Sequence, residues 1–307
     1  SDPIPRGRDL YVCSWSLLVP RFDDLASFNF QLIIGDEIHY CKSNDAQRSQ
    51  AFAAIIEPIP FRLLLSGTPI INNERELETI NEYLDTDKPV MIRRLLEDVA
   101  PDVPPKTRAY VDVDLSPRVW GEYRRAEQEF ADWLAEKLAE HPDIEDGEEA
   151  AEQALAAEAL VKVGYLRRIL AAGKVPAAAD WIARAVRLGE PVVVFAEHAE
   201  VIPKLTRRLR KLRLRHVVID GSTSRGDRQT AIDEFQAGRV PIFIGSKAAK
   251  EGITLTRARH LLFCERWFTA AEEEQAEDRV RRIGQKFPTK VWFLHVPETL
   301  DDRLAEI

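Results

Sequence analysis

The sequence predicts an α/β fold with two parallel-sheet domains separated by a helical segment. Three observations carry that prediction. Short, continuous apolar runs of four to six residues recur in the first and last thirds of the chain, as strands buried on both faces of a parallel sheet require. Stretches with apolar residues at helical spacing lie between them. The middle of the chain is rich in Ala and Glu and contains no such runs. With 307 residues there is room for two domains of roughly 150 residues, each with its own core.

In chain order, LYVC (10–13), QLIIG (31–35) and FRLLL (61–65) read as strands, and Asp45 to Ile56 reads as a helix. Residues 1–70 supply too few strands for a doubly wound sheet, so the first domain reads as partial. Pro101, Pro104 and Pro105 then break the chain before an alternating strand, AYVDVDL (109–115). Ser116 to Ala172 is helical in pattern and predicts two long helices broken near His141-Pro142-Asp143, with Ser116 as N-cap and Pro117 in the first helical position. The acidic run 143–152 reads as a solvated face or loop. From Pro191 the strands VVVF (192–195), HVVI (216–219), PIFIG (241–245), HLLFC (260–264) and VWFLHV (291–296) alternate with helices over 198–212, 226–237 and 271–283. That is a complete doubly wound domain. The predicted divisions are 1–115, 116–175 and 176–307.

Composition narrows the function classes. At 45% hydrophobic and 31% charged, the chain is neither disordered nor fibrous in type. No apolar run approaches the roughly 20 residues of a membrane span, which predicts no membrane partner. Cys13, Cys41 and Cys264 are far apart and outside any CxxC spacing, so they read as free thiols in a reducing cytoplasm rather than a zinc site. The net charge of −8 by itself argues against a nucleic-acid partner. Resolved along the chain, however, residues 1–120 carry −6 (13 basic, 19 acidic), residues 121–158 carry −10 (3 and 13) and residues 159–307 carry +8 (27 and 19). The last half is basic, and KLTRRLRKLRLRH (204–216) within it has seven Lys or Arg and no acid. That stretch suits either a solvated helix face or contact with phosphates.

Three constellations carry chemistry. In LIIGDEIHY (32–40) a strand delivers Asp36 and Glu37 to its carboxyl end, where open α/β sheets bind ligands. One carboxylate there can hold Mg²⁺ through water while the other orients the attacking water, although charged pairs also cap ordinary strands. In LLLSGTPI (63–70), Ser66 and Thr68 supply hydroxyls and Gly67 a tight backbone, a pattern shared with simple βα turns. In QAEDRVRRIGQ (275–285), Gln275, Arg279 and Arg282 fall at spacings of four and three, which predicts one helix face. Two arginines on that face suit a phosphate, unless Glu277 and Asp278 neutralise their neighbours.

The ordered set DEIH, SGTP, DGSTSRGDRQ (220–229), GSKAAKEGITLT (245–256) and QAEDRVRRIGQ resembles motifs II, III, IVa, V and VI of the SWI/SNF-like branch of superfamily two helicases. YVCSWSLL (11–18), Lys42 with Asn44, and IRRLLEDVAPDVPPK (92–106) resemble segments of the same branch, so the likeness runs from about residue 10 to 305. Among its members the wording is nearest to annealing-helicase-like and prokaryotic or viral forms. The resemblance implies two RecA-like lobes, the first partial and the second complete, with a helical protrusion between them. It implies a DNA-dependent ATPase that uses ATP and Mg²⁺ to move along double-stranded DNA in the cytoplasm, or in the nucleus of a eukaryote. Asp36 would bind Mg²⁺ and Glu37 would be the catalytic carboxylate. His39, Ser66, Gly67 and Thr68 would couple hydrolysis to lobe movement. Arg279 and Arg282 would be arginine fingers, with Gln275, Glu251 and Gly252 beside the nucleotide. Gly221, Ser222, Ser246, Lys247 and Thr254 would meet the DNA backbone. Trp267 is expected to be structural rather than a base-stacking aromatic.

Three departures bear on these roles. Ala249-Lys250 replaces the usual Gly-Gly of motif V, Ile38 replaces a small residue, and no G-x-x-x-x-G-K-[ST] loop occurs in the sequence. In the family that loop precedes the segment seen here, which predicts either a longer protein or a partner chain carrying the start of the first lobe, and little ATP turnover by these residues alone. A non-catalytic binding remnant of such a motor, or the motor subunit of a restriction or defence complex, are the other readings.

Overall fold

The computed structural model describes residues 3–67, 75–85, 91–140, 149–249 and 252–306. The chain divides at Arg94 and Leu95 into two compact units.

The first unit holds helix α1 (Phe22–Ala26), strand β1 (Leu32–Gly35), helix α2 (Gln47–Ile56), strand β2 (Phe61–Leu64) and helix α3 (Arg75–Glu82). β1 and β2 run parallel, pairing Leu32 with Phe61 through to Gly35 with Leu64. Ile38, Cys41, Phe52, Ile55, Ile56, Ile80 and Tyr83 form the core. The Tyr83 hydroxyl donates to the Cys41 carbonyl at 2.8 Å, and burial pushes its pKa up to about 12. Arg62 ties β2 to its surroundings by donating to the carbonyls of Glu57, Ile59 and Tyr83 at 2.8–2.9 Å. Two expectations are corrected. Residues 10–13 form no strand; Leu10 and Val12 are 76% and 90% exposed, and no strand among the described residues pairs with them. Nor are β1 and β2 buried on both faces, because alternate residues Leu32, Ile34, Phe61 and Leu63 are about half exposed or more.

The second unit is built on a six-stranded, all-parallel sheet in the order β3-β8-β7-β4-β6-β5. Its strands are β3 (Lys106–Asp112), β4 (Val192–Phe195), β5 (His216–Ile219), β6 (Ile242–Gly245), β7 (His260–Phe263) and β8 (Thr289–His295). β4 and β6 are buried at every position. Strand order reverses around β4, which makes the carboxyl ends of β4, β6 and β7 the topological switch point where such sheets bind ligands. On one face the core gathers Leu170, Ile182, Val192, Val194, Leu205 and Leu209. On the other, Phe195, Phe263, Phe293 and Trp267 pack ring against ring, so Trp267 is structural as expected.

The helices are α4 (Leu96–Val99), α5 (Pro117–Glu140), α6 (Glu149–Arg187), α7 (Val201–Lys211), α8 (Arg225–Gln236), α9 (Ala270–Glu277) and α10 (Leu300–Ala305). Three sequence boundaries move. β3 does not close the first domain: it pairs along its whole length with β8, from Lys106–Thr289 to Asp112–His295. α6 runs unbroken through Pro176, across the predicted division at 175/176. A proline inside a helix costs about 3 kcal/mol, and the burial of Val175, Ala178, Ala179, Ile182 and Ala183 around it offsets that. α9 stops at Glu277 instead of continuing to 283, because the Arg279 carbonyl accepts from Leu255 N at 2.7 Å and leaves the helical pattern.

The thiols follow from this packing. Cys41 and Cys264 are buried, and burial raises the Cys41 pKa to about 12 and pushes that of Cys264 well above its ordinary value, whereas Cys13 is exposed. A maleimide titration of the native chain at neutral pH is expected to modify Cys13 alone, with the other two reacting only after denaturation. Rapid labelling of a second thiol would contradict the burial described.

Candidate functional site

The predicted residues fall into two groups, one in each unit. In the first unit, β1 ends at Gly35 and β2 at Leu64, and the two exits are clamped: Leu65 N donates to Gly35 O at 2.8 Å and Ile38 N to Leu65 O at 2.9 Å. Gly35 is required there, since a Cβ would meet Leu64 at 3.2 Å and Ile38 and Phe52 at 3.4 Å. Asp36 emerges next, exposed, with its carbonyl held by Trp15 Nε1 at 2.8 Å. Its Oδ1 accepts from Glu37 N at 3.0 Å. Glu37 sits at φ 53°, ψ 49°, a left-handed conformation uncommon for a residue with a side chain and one that collects at functional sites. The turn throws the Glu37 carboxylate back toward His39, whose Nδ1 lies 3.2 Å from Glu37 Oε2 and 3.4 Å from Ser66 Oγ. His39 is buried and stacks near Tyr40. Ile38, in place of a small residue, is buried in the core. Asp36, Glu37, His39 and Ser66 are therefore brought together, with Gly67 exposed beside them; Thr68 lies outside the described residues.

In the second unit, the Arg279–Leu255 hydrogen bond joins the loop after α9 to residues 252–255. Arg282 is exposed, and its Nη1 reaches the Ile253 carbonyl and Thr254 Oγ1, both at 3.3 Å. Gly252 has φ +68°, which only glycine adopts without strain. Gln275 is buried on α9. The three residues expected on one helix face thus do not share one: Gln275 is helical, while Arg279 and Arg282 lie on the loop that follows. Glu251 and Lys250 lie outside the described residues.

The turn after β5 and the loop after β6 lie side by side, because those strands pair and Ser246 N donates to Ile219 O at 3.0 Å. Asp220 Oδ1 accepts from Ser222 N, Ser222 Oγ and Thr223 Oγ1 at 2.6–3.1 Å, and these donors hold its carboxyl below the usual range. That turn fixes Gly221 and Ser222. Ser246 Oγ accepts from Ala248 N at 3.2 Å. Lys247 differs from a free DNA contact: its Nζ lies 2.8 Å from Glu197 and 2.9 Å from Glu272, over the Trp267 ring. Two carboxylates hold this ammonium in the loop's framework. Ala249 lies in a short 3-10 turn without positive φ, and its methyl packs where Gly245 leaves room, so alanine suits this form of the loop.

Several supporting contacts escaped the sequence reading. Glu277 is fully buried and receives Arg108 in a two-point grip at 2.8 and 3.0 Å, with Lys106 at 2.7 Å. Glu265 caps the end of β4 by accepting from the Glu197 and His198 amides at 2.7 and 2.8 Å. Gln285 spends all its polar atoms on the backbone, donating to Ala258 O and Val280 O and accepting from Lys286 N and Phe287 N. Only Glu265 carried a sequence signal, a charged residue directly after the apolar run 260–264.

Residues 3–88 match the model of the SNF2-related domain, and residues 174–284 that of the helicase conserved C-terminal domain. Human DNA annealing helicase and endonuclease ZRANB3 is 28% identical over 91% of this chain and 29% of its own length. The SWI/SNF-related matrix-associated actin-dependent regulator of chromatin subfamily A-like protein 1 of Xenopus laevis is 27% identical over 98% of this chain and 34% of its own. The chain spans about a third of the length of these curated relatives. Two solved structures share the fold: the C-terminal part of the Fun30 ATPase domain (TM-score 0.54, 17% identity, 66% of this chain and 89% of that one) and the Sulfolobus solfataricus SWI2/SNF2 ATPase core in complex with dsDNA (0.52, 21%, 95% and 69%). With an SNF2-related domain followed by a helicase C-terminal domain, and the strand-end motifs placed as described, the chain belongs to the SWI/SNF-like branch of the superfamily two helicases.

Proposed function

We propose that this chain carries the hydrolytic carboxylates and the arginine fingers of an ATP-driven, double-stranded-DNA translocase. The observation that carries this reading is the Asp36–Glu37–His39–Ser66 constellation at the carboxyl ends of β1 and β2. Asp36 presents an exposed carboxylate at a strand end, the hard oxygen donor that Mg²⁺ prefers; the ion held there would supply neutralising charge at the phosphates. Glu37 orients the attacking water and draws off its proton. His39 links that carboxylate to the Ser66 hydroxyl at the next strand, so occupancy of the site bears on the segment that follows β2. Arg279 and Arg282, in the second unit, serve as the arginine fingers, offsetting charge on a transferring phosphoryl group. Gly221, Ser222, Ser246 and Thr254 face the DNA backbone from strand-end loops, and Lys247 holds one of those loops in shape. No phosphate-cradling loop occurs in the sequence, so these residues alone turn ATP over negligibly. The free thiols fit a reducing compartment that holds DNA.

The test uses a form of the protein that hydrolyses ATP. Turnover should rise with duplex DNA, and Glu37→Gln should lower kcat by about 10²–10⁴-fold while ATP binding persists. A Glu37→Gln form with undiminished DNA-stimulated turnover would remove the assignment.

A further inference from the structure

A cavity of about 600 Å³ opens between α5, α6 and α7 in the second unit, and none of its lining residues belongs to the strand-end sites above. One wall is a stripe of α7: Lys204, Arg207, Arg208 and Lys211, at steps of three or four residues and all exposed. Arg168 of α6 and Arg118 of α5 face it. The lining thus holds six cations against two carboxylates, Glu122 and Glu200. Glu200 is already engaged, 3.3 Å from Arg168 and 2.9 Å from Lys204. Arg118, Arg207, Arg208 and Lys211 have no ion pair among the described residues.

The floor is apolar, made by Val119, Ile169, Val175 and Pro176. Gly173 closes one end, since a Cβ there would strike Leu115 and Val119 at 2.7 and 2.8 Å; its absence lets the start of α5 lie directly on α6. Pro176 has no N–H, so the carbonyl four residues earlier, that of Ala172 in the same lining, lacks its usual helical donor. The site therefore combines a cationic rim, an apolar base and a backbone acceptor.

We propose that this groove binds an acidic amphipathic helix of a partner protein. Carboxylates three and four residues apart on a helix stand about 5–6 Å apart, the same step as the α7 cations. The partner's apolar side chains seat on the floor, the helix-in-groove mode of recognition. Nucleic acid fits less well. Duplex phosphates need cations on an open surface and make no use of an apolar base. A single strand stacks on successive aromatic rings, and Tyr165 is the sole aromatic in the lining.

The experiment is fluorescence anisotropy with the 307-residue chain and a labelled helical peptide bearing Glu and Leu along one face. The peptide should bind, and the triple variant Arg207→Ala, Arg208→Ala, Lys211→Ala should weaken it by about tenfold or more, with an unchanged melting curve because all three residues are exposed. Changing the peptide's Glu to Gln, or its Leu to Ser, should each weaken binding comparably. The proposal is overturned if the triple variant binds the peptide as well as the parent, or if the Leu-to-Ser peptide binds undiminished, which would leave only a charged surface. It is equally overturned if the triple variant loses affinity for a labelled duplex or single strand and not for the peptide. Neither ATP nor the strand-end loops enter this assay, so its result is independent of the proposed hydrolysis.

Discussion

Arg282→Ala is expected to lower DNA-stimulated kcat by about 10³–10⁵-fold in a form of the protein that hydrolyses ATP, with little change in melting temperature. The geometry separates those two effects. Arg282 is exposed and, among the described residues, is held by two contacts of 3.3 Å, to Ile253 O and Thr254 Oγ1, so its guanidinium can leave them for a phosphate at small cost. Arg281, its neighbour, is buried, donates to Pro104 O at 3.1 Å and lies 3.4 Å from Glu97. Arg281→Ala should therefore lower stability first and activity only through it. Arg282→Lys should recover little, because an ammonium cannot supply the planar two-point fork. Melting curves and steady-state kinetics on the same preparations decide the matter. If Arg281→Ala lost turnover at constant stability while Arg282→Ala lost stability, the finger assignment would pass to the wrong residue and fail.

This pair shows what the sequence could and could not convey. Most strands were legible because they are short, continuous apolar runs, two of them ended by Gly: Gly35 before Asp36 and Gly245 before Ser246. Asp36 and Glu37 were legible for the same reason, since a parallel strand delivers its next residues to the ligand-binding edge. Spacing failed where partners distant in the chain decide the outcome. A period of four and three put Gln275, Arg279 and Arg282 on a helix, but Leu255 N captures the Arg279 carbonyl and ends α9 early. The alternation in β3 announced a strand without naming β8 as its neighbour. Nothing local indicates that Glu197 and Glu272 converge on Lys247. The left-handed Glu37 was equally silent, since its side chain gives no warning of a positive φ.

The same long-range logic yields the largest expected stability effect, at a position no motif marks. Lys174 on α6 is fully buried, and its ammonium is paired with Asp301 in the first turn of α10. Asp301 Oδ2 also accepts from Val296 N at 2.9 Å, so one carboxylate fixes both the buried cation and the exit of β8. Asp301→Ala leaves an uncompensated charge in the core and is expected to cost about 3–5 kcal/mol, since removing one partner exposes the full desolvation penalty of the other. At about 2–4 °C per kcal/mol for a unit of this size, the melting temperature should fall by roughly 6–20 °C. Lys174→Met should cost less, because the Val296 amide still satisfies part of the carboxylate. Combining Lys174→Met with Asp301→Leu should recover most of the loss, because well-packed apolar side chains often replace a buried ion pair without penalty. Urea denaturation of the two single variants and the double variant measures the coupling directly. A cost below about 1 kcal/mol for Asp301→Ala would mean that water reaches Lys174 in the native chain, contrary to the burial seen here.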